Sequence, residues 1–307
     1  MGLRKVRAMP TDLEFWIKMS GFALAIVVFG VGWMRQRFLV SQELSADVLR
    51  DVVVPAPLSS PVTQGWWRIS TVIYNRFDLI LVAGIVGIYV SPLFIELVVG
   101  KQENPKMSLE LVIGTVFMQF FIVAVVMGFV GLRQNLGRWL GLRWRMWPLV
   151  FPIAIVGWLF VMGVLGLFQM LGFFEWLQGL MGNDGTQEVV KAFTETEDSV
   201  LLGMLVFLAV VVAPVTEEII FRGYLYPVTK RFIGRWPATI FGAMIFAVIH
   251  HNAQALIPLF ILGVLLTLAY EFTGSIWAPI GFHAFFNGAT VGAQLAVKYG
   301  WIDAPSV

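Results

Sequence analysis

The sequence predicts an all-α protein, a polytopic transmembrane helical bundle with about eight spans. Of its 307 residues, 58% are hydrophobic and only 13% are charged, and the mean hydropathy is +0.82. A soluble domain carries about a quarter charged residues, so this chain has too little charge to cover a water-exposed surface. The apolar stretches are also continuous, whereas a transmembrane β-barrel alternates apolar and polar residues. Because every backbone amide inside a bilayer needs an internal partner, continuous apolar stretches form helices.

The apolar stretches approach the ~20 residues that a helix needs to cross the hydrocarbon core, and the sixth is the shortest. The longest connection between them, 38–75, contains the pair Trp66–Trp67, which is typical of an interfacial segment. The predicted spans are 15–34, 77–99, 108–131, 148–173, 199–229, 237–251, 255–272 and 276–297.

The loops between these spans differ in charge. The 132–147 loop is rich in arginine and has no acid, and the 222–236 segment is also basic, whereas the 174–198 loop is acidic. The positive-inside rule predicts that the two basic segments lie on the cytoplasmic side and the acidic loop on the opposite side. Both ends of the first span are basic, so the orientation of the N-terminus stays open.

Composition also excludes several kinds of chemistry and partner. The chain has no cysteine, which excludes a thiol nucleophile, a thiolate metal site and a disulfide. The net charge is only +2, and basic residues cluster next to the predicted spans. We therefore expect the lipid bilayer, and no nucleic acid, as a partner.

Two adjacent carboxylates, Glu217 and Glu218, follow an apolar run over 199–213. Charge inside a span costs roughly a few kcal/mol even on the mildest scale, so these residues indicate a function. Glu218 and Arg222 stand at i and i+4 in the favourable order, which predicts an ion pair on one helix face. Glu217 is rotated about 100° away and lacks that partner. A carboxylate without a partner in an apolar setting is a candidate general base.

The three histidines of the chain, His250, His251 and His283, lie in apolar stretches predicted as helices. Asn287 stands four residues after His283, on the same predicted face. We interpret His251 as a packing residue. The other residues, together with Glu217, come from three helices and offer a carboxylate, two imidazoles and an amide. Such a set can activate water and stabilise an oxyanion, or it can hold a metal whose bound water attacks.

The depth of these residues predicts the length of the fifth helix. If the sixth helix begins near Pro237, His250 lies ~20 Å along it by the rise of an α-helix. Glu217 reaches the same depth only if the fifth helix continues to Lys230 or Arg231. The sequence therefore predicts one long helix through the two carboxylates.

Three short motifs stand in order on successive apolar stretches. Together they resemble the signature of the CPBP family, which comprises the type II CAAX prenyl proteases and bacteriocin-processing relatives. The resemblance covers roughly 199–290, and residues 1–198 are similar only in being hydrophobic spans. The motifs are EExxxR from Glu217 to Arg222, FxxxH from Phe246 to His250, and HxxxN from His283 to Asn287.

The resemblance implies an intramembrane endopeptidase with four catalytic residues. Glu217 would be the base that activates water, and His250 would position the same water. His283 and Asn287 would stabilise the oxyanion of the tetrahedral intermediate. The substrate would be a peptide or a prenylated protein.

The resemblance also implies supporting roles for Glu218, Arg222 and Phe246, and it leaves the role of metal open. The family is described both as metalloprotease and as metal-free glutamate protease. The chain has no HExxH motif, and asparagine is an unusual zinc ligand beside histidine and carboxylate. We therefore favour no cofactor and keep zinc as the alternative. If a metal binds, its ligands would be Glu217, His250 and His283.

These inferences predict an organisation and a location. Residues 1–198 form N-terminal spans with an interfacial loop, 199–297 form CPBP-like catalytic helices, and 298–307 form a tail. We expect an integral, multi-pass protein, in the plasma membrane if the source is bacterial. Its active site is expected to open to the cytoplasmic side.

Other functions remain as alternatives at this point. A proton- or cation-coupled transporter could use the same Glu and His residues as a relay. It would predict inverted repeats and broken helices in both halves, but the polar set lies only in the second half. A non-catalytic membrane scaffold would not need all four catalytic positions. Serine and aspartate proteases find no support, because GxSG is absent and Asp78 is the only aspartate in the predicted spans.

Four further residues have simpler interpretations. Glu271, close to Thr273, is interpreted as a solvated helix end. Gly263, Gly281 and Gly288 are expected to allow close contact between helices.

Overall fold

The computed structural model describes residues 13–51, 68–100, 107–181, 193 and 196–303, and every regular element in these ranges is helical. Trp66, Trp67 and most of the acidic loop lie outside the described residues. A 3₁₀ turn at Trp147–Leu149 precedes the fifth helix. The helices are α1 (Leu13–Asp51), α2 (Arg76–Val99), α3 (Leu109–Gly131), α4 (Leu136–Trp139), α5 (Val150–Met170), α6 (Phe173–Met181), α7 (Ser199–Ile233), α8 (Arg235–Val248), α9 (Leu256–Thr273) and α10 (Trp277–Lys298).

All eight predicted spans coincide with helices among these. Among the described residues, six helices are long and apolar enough to cross a membrane: α1, α2, α3, α5, α7 and α9. Helix α8 is apolar but shorter. Large apolar side chains such as Phe117 and Val98 are exposed on the outer surface, as expected where lipid covers the protein. The chain is an integral, multi-pass membrane protein with an all-α fold.

Local sequence explains where several helices begin and end. Asn75 caps α2 and forms a reciprocal capping box with Asp78, while Asp198 accepts hydrogen bonds from the first backbone amides of α7. Helix α9 ends at Gly274, which has the left-handed conformation that glycine adopts without strain. These caps place the helix ends within a few residues of the predicted boundaries.

One predicted boundary was wrong in a way that matters for the site. The sequence predicts His250 and His251 inside the sixth span, but α8 ends at Val248, so both histidines lie in the turn that follows it. His251 has a φ of 52°, a left-handed conformation that is unusual outside glycine. Turn residues can aim a side chain in directions that a helix does not allow.

Small residues let the helices approach closely, as predicted for Gly263 and Gly281. A Cβ at Gly263 would lie 3.0 Å from the Ala243 backbone of α8, and one at Gly281 would lie 2.3 Å from Val150 of α5. A Cβ at Gly288 would meet its nearest neighbour only at 3.7 Å, an ordinary contact. Buried residues of both halves of the chain share one core, while the proposed division at residue 198 stays a prediction.

Helix α7 runs unbroken through the two carboxylates, as the depth argument predicted. It contains two π-helical turns, Leu208–Val212 and Ile219–Leu225, and each is followed within two residues by a proline, Pro214 or Pro227. A π turn shifts the backbone hydrogen bonds by one residue. The proline that follows has no N–H, so it cannot donate to the carbonyl that would be its helical partner. One backbone carbonyl next to each proline therefore lacks its usual helical donor.

The C-terminal half of α7 is tied to the bundle by two buried acids. Asp78 of α2 is fully buried, and it accepts hydrogen bonds from Arg133 and from the hydroxyl of Tyr224. Glu271 of α9 is also fully buried and pairs with Lys230 and with Tyr226. The interpretation of Glu271 as a solvated helix end was therefore wrong, because the helix terminus is covered by α7 and by the chain before α2.

Candidate active site

Glu218 is the centre of a buried polar cluster between α7 and α10. Its Oε1 accepts a hydrogen bond from Arg222 at 2.9 Å, which confirms the predicted ion pair. The same oxygen accepts from Nδ1 of His283 at 2.8 Å. Because Nδ1–H faces the carboxylate, the lone pair of Nε2 is on the far edge of the ring. Glu218 thus orients His283 as well as neutralising Arg222.

The aromatic ring of Phe246 organises the charged and imidazole groups around it. The Arg222 guanidinium carbon lies 4.6 Å from the centre of this ring. The His250 ring lies 4.9 Å away and the His283 ring 5.6 Å away, both edge-to-face. An arginine over an aromatic face is a favourable cation–π pair. The phenylalanine of the FxxxH motif therefore holds both histidines beside one cation.

Arg222 is fixed from a third helix. Its second terminal nitrogen donates to the carbonyl of Gly263 on α9 at 3.1 Å. The close approach of α9 and α8 at Gly263 brings that carbonyl within reach. With Glu218, the glycine carbonyl and the Phe246 ring as partners, the buried guanidinium has little freedom to move.

His250 is oriented by the backbone of its own motif. Its Nδ1 lies 2.7 Å from the carbonyl oxygen of Phe246. A carbonyl can only accept, so Nδ1 carries the proton and Nε2 keeps its lone pair. The ring of His250 thereby lies against the same Phe246 ring as the Arg222 guanidinium and the ring of His283.

Within the described part of the chain, Glu217 has no ion pair like the one that joins Glu218 to Arg222. Its Oε2 is buried and has no hydrogen-bond partner among the described residues, and the same is true of Oε2 of Glu218. Buried acceptors are almost always paired in folded proteins, so such an oxygen indicates a place where a ligand or reacting group binds. The rings of His250 and His283 border Phe246, and Phe221, about one turn after Glu217 on α7, contacts the same ring.

Asn287 stands one turn beyond His283, and one of its amide hydrogens is already used. Nδ2 donates to the carbonyl of Ala209 at 2.8 Å. In the π turn of α7 the amide of Ala213 bonds to Leu208 instead, and the next amide position is Pro214, which has no N–H. Asn287 therefore supplies the donor that the proline lacks, and only its second amide hydrogen remains for an oxyanion.

Two residues of the N-terminal half reach the same region, and the sequence analysis missed both. Gln119 of α3 hydrogen-bonds Thr216, which directly precedes Glu217 (Oε1–Oγ1 2.7 Å). The ring of Tyr89 on α2 contacts that of Phe221, which follows Glu217 by about one turn on α7. Both are polar residues inside predicted spans, which could have marked them as candidates, but no motif linked Gln119 or Tyr89 to the C-terminal half of the chain.

The positions of the candidate metal ligands can be compared with a metal centre. Among the described residues, no three histidine, aspartate or glutamate side chains come together in an arrangement that could hold a metal ion. Nδ1 of His283 is engaged with Glu218, which leaves Nε2 as the ring nitrogen that could ligate a metal. A zinc site with Glu217, His250 and His283 as ligands would require these side chains to move closer together, and the role of metal stays open.

Comparison with known proteins connects this geometry with a family. Residues 199–289 match the family model for type II CAAX prenyl endopeptidases, Rce1-like. The chain is 29% identical over 107 residues to YdiL of Bacillus subtilis strain 168, provisionally named a membrane peptidase, covering 34% of this chain and 42% of that protein. It is also 29% identical over 130 residues to the UPF0177 protein YbdI of Lactococcus lactis subsp. lactis strain IL1403, covering 42% and 65%.

These matches have clear limits in length. The chain spans 42% of one curated relative and 65% of the other. No solved structure matches it significantly. The matched segment 199–289 nevertheless contains all three motifs and the whole cluster around Glu218. The resemblance of these helices to the CPBP family of type II CAAX prenyl proteases is thereby confirmed.

Proposed function

We propose that the chain is an intramembrane endopeptidase in which Glu217 activates the attacking water. The observation that carries this proposal is the buried Oε2 of Glu217, which has no partner among the described residues and lies about one turn before Phe221, whose ring packs against Phe246 between His250 and His283. The family match over 199–289 supports a peptidase. The name of the Bacillus subtilis relative supports the same activity.

The reaction follows from these groups. Water transfers one proton to Glu217 and keeps the other, which forms a hydrogen bond to Nε2 of His250, while its oxygen forms a bond with the carbonyl carbon of the scissile peptide. The electron pair of the carbonyl π bond moves to its oxygen, which becomes an oxyanion. Glu217 then gives its proton to the amide nitrogen, and the electron pair of the oxyanion re-forms the C=O bond as the C–N bond breaks. The products are an amine and a carboxylic acid, which loses its remaining proton to water.

Charge on the oxyanion needs a donor in a place without bulk water. His283 can supply one if its ring is protonated, because Glu218 then faces Nδ1–H and Nε2–H faces the substrate. Asn287 can add its second amide hydrogen. Glu218 and Arg222 act by holding His283 and Phe246 in place, so we assign them a positioning role.

The expected substrate has an apolar segment next to the cleaved bond. An apolar groove of about 470 Å³ lies at the start of α10, lined by residues such as Trp144, Trp147, Trp277 and Ile280. His283 follows Trp277 by six residues, or ~9 Å along the helix. The groove therefore supports a prenylated or otherwise lipid-like peptide as the substrate.

We propose that the substrate enters from the cytoplasmic side. The groove lies at the end of the bundle that carries the basic loop 132–147, and the positive-inside rule assigns that end to the cytoplasm. The chain has no cysteine, so the variants Arg143→Cys and Trp301→Cys can each be treated with an impermeant maleimide added outside intact cells. We expect the label on Trp301→Cys and not on Arg143→Cys. Labelling of the Arg143 position from outside intact cells would reverse this assignment.

The decisive experiment is cleavage of a quenched fluorogenic prenylated peptide by the purified full chain in detergent, with and without excess chelator. Cleavage that is lost in Glu217→Ala but survives the chelator supports the metal-free glutamate mechanism. Cleavage that is lost to the chelator and restored by zinc assigns a metal mechanism instead. Equal cleavage by the wild type and Glu217→Ala would remove Glu217 from the role of base.

A further inference from the structure

Tyr89 is a buried hydroxyl that the mechanism above does not use. It lies in α2, in the half of the chain outside the family match. Its hydroxyl oxygen is buried and has no hydrogen-bond partner among the described residues. A buried hydroxyl without a partner costs about 1–3 kcal/mol, so its retention needs a reason.

The position of Tyr89 relative to Glu217 provides that reason. The ring of Tyr89 packs against Phe221, which follows Glu217 by about one helical turn on α7, and among the described residues no direct hydrogen bond joins the Tyr89 hydroxyl to Oε2 of Glu217. Each ends in a buried polar oxygen without a partner among the described residues, one a donor and the other an acceptor. Two such groups close together mark a point where a third polar group fits between them.

The backbone next to Tyr89 is held in place within α2. Pro92 cannot donate to the carbonyl of Ile88, and Ser91 takes over that carbonyl with its hydroxyl at 2.8 Å. The ring of Tyr89 also contacts the ring of Phe221 on α7, with the centroids 6.1 Å apart. The side chain of Tyr89 is therefore directed towards the helix that carries Glu217.

The reacting group that Tyr89 contacts follows from its chemistry. A phenol O–H donates, and a donor to the attacking water would weaken its nucleophilic lone pair. The carbonyl oxygen of the scissile peptide, in contrast, gains negative charge during attack and benefits from every added donor. One amide hydrogen of Asn287 is already bonded to the carbonyl of Ala209. The residues of the three motifs therefore offer few donors to the oxyanion.

We propose that Tyr89 is a further catalytic residue, whose hydroxyl donates a hydrogen bond to the oxyanion formed when water attacks the scissile carbonyl. The proposal rests on the proposed protease function and extends its site to α2. It makes the N-terminal half a part of the active site rather than a membrane anchor. The proton of Tyr89 is shared with the oxyanion and is not transferred.

The test is Tyr89→Phe in the full chain, which removes only the hydroxyl. We expect kcat to fall roughly 100-fold with KM nearly unchanged, as for the loss of one oxyanion donor. The thermal midpoint in detergent should stay the same or rise, because the hydroxyl has no partner to lose. Tyr270→Phe is the matched control, since its hydroxyl donates to the carbonyl of Trp139. That variant should lose stability and keep kcat.

Other outcomes separate this inference from the function on which it rests. An unchanged kcat in Tyr89→Phe, with cleavage that still depends on Glu217, overturns the role of Tyr89 alone. A raised KM with unchanged kcat makes it a ground-state contact and also overturns the proposal. Wild-type cleavage that does not depend on Glu217 removes the proposed mechanism itself.

Discussion

The buried acids of this protein fall into two groups that differ in how their oxygens are used. Asp78 and Glu271 have partners for both carboxylate oxygens. Glu217 and Glu218 each keep a buried Oε2 without a partner among the described residues. A fully paired acid inside a protein holds elements together, whereas an acid with a spare acceptor can bind something else. The difference separates the acids that hold helices together from the two acids of the candidate site.

Both groups act on the same helix. The hydroxyls of Tyr224 and Tyr226 on α7 donate to Asp78 and Glu271, and Lys230 adds an ion pair to Glu271. These contacts fix the C-terminal part of α7, from the end of the second π turn onwards. The helix is thereby held at one end while the carboxylates in its middle keep their geometry.

The largest expected effect follows from Glu217→Gln. The amide keeps the shape of the side chain but cannot take a proton from water, so kcat should fall roughly 10³-fold. Removal of a buried, incompletely paired charge should leave stability equal or higher. The prediction is checked by kcat together with the thermal midpoint of the same preparation. A variant that loses stability and activity in parallel would move Glu217 into the structural group.

Asp78→Asn should have the opposite profile. The substitution removes the charge opposite Arg133, one acceptor of the capping box and part of the bond from Tyr224, and breaking such a buried pair costs about 3 kcal/mol. Unfolding in denaturant should show this loss, while the kcat of the remaining folded protein should hardly change. Glu96→Gln is the control, because the Lys18–Glu96 pair is longer, at 3.7 Å, and less buried. A Glu96→Gln variant as unstable as Asp78→Asn would argue against the comparison.

Glu271→Gln should show a similar profile with a smaller effect. Glutamine keeps an acceptor for Tyr226 but loses the charge opposite Lys230, whose side chain is 13% exposed and can reach water again. We expect a loss of about 2 kcal/mol. The same unfolding experiment measures it. Lys230→Met in the Glu271→Gln background should cost little more, and a large additional loss would show that Lys230 acts on its own.

The sequence predicted the helices and the ion pair because both follow from local rules. Continuous apolar length indicated the spans, and the i, i+4 spacing indicated the pairing of Glu218 with Arg222. The prediction of one long helix α7 was also correct, because Glu217 and His250 can meet only if they lie at the same depth in the membrane. These features need no knowledge of how distant helices pack.

The features that sequence reasoning missed depend on packing between distant segments. Glu271 stands near Thr273 and Gly274, so it was interpreted as exposed, but its cover comes from Lys230 and from the chain before α2. Tyr89 becomes notable only because α2 lies beside Glu217. The helix end at Val248 was missed because the apolar run continues to Ile249. Contacts with distant segments explain the cases of Glu271 and Tyr89, and the turn that contains His250 and His251 explains the early end of α8.

The smallest expected effect, Tyr74→Phe, tests the comparison with one hydroxyl. The Tyr74 oxygen accepts from the indole of Trp139 at 2.9 Å and donates to the carbonyl of Gly223 at 3.3 Å. Gly223 lies in the second π turn of α7, so this hydroxyl ties the chain before α2 to that turn. Burial raises the pKa of Tyr74, which keeps its proton in place for this bond.

Tyr74→Phe therefore leaves a buried donor and a buried acceptor without partners, and we expect a loss of about 1 kcal/mol with unchanged kcat. Tyr89→Phe removes the same atom from a hydroxyl that has no partner among the described residues, so it should lose activity and no stability. Unfolding curves and kcat, measured on the two variants side by side, give the comparison in its simplest form. If Tyr74→Phe and Tyr89→Phe both lost stability and kept kcat, the hydroxyl of Tyr89 would have a structural role, as that of Tyr74 does.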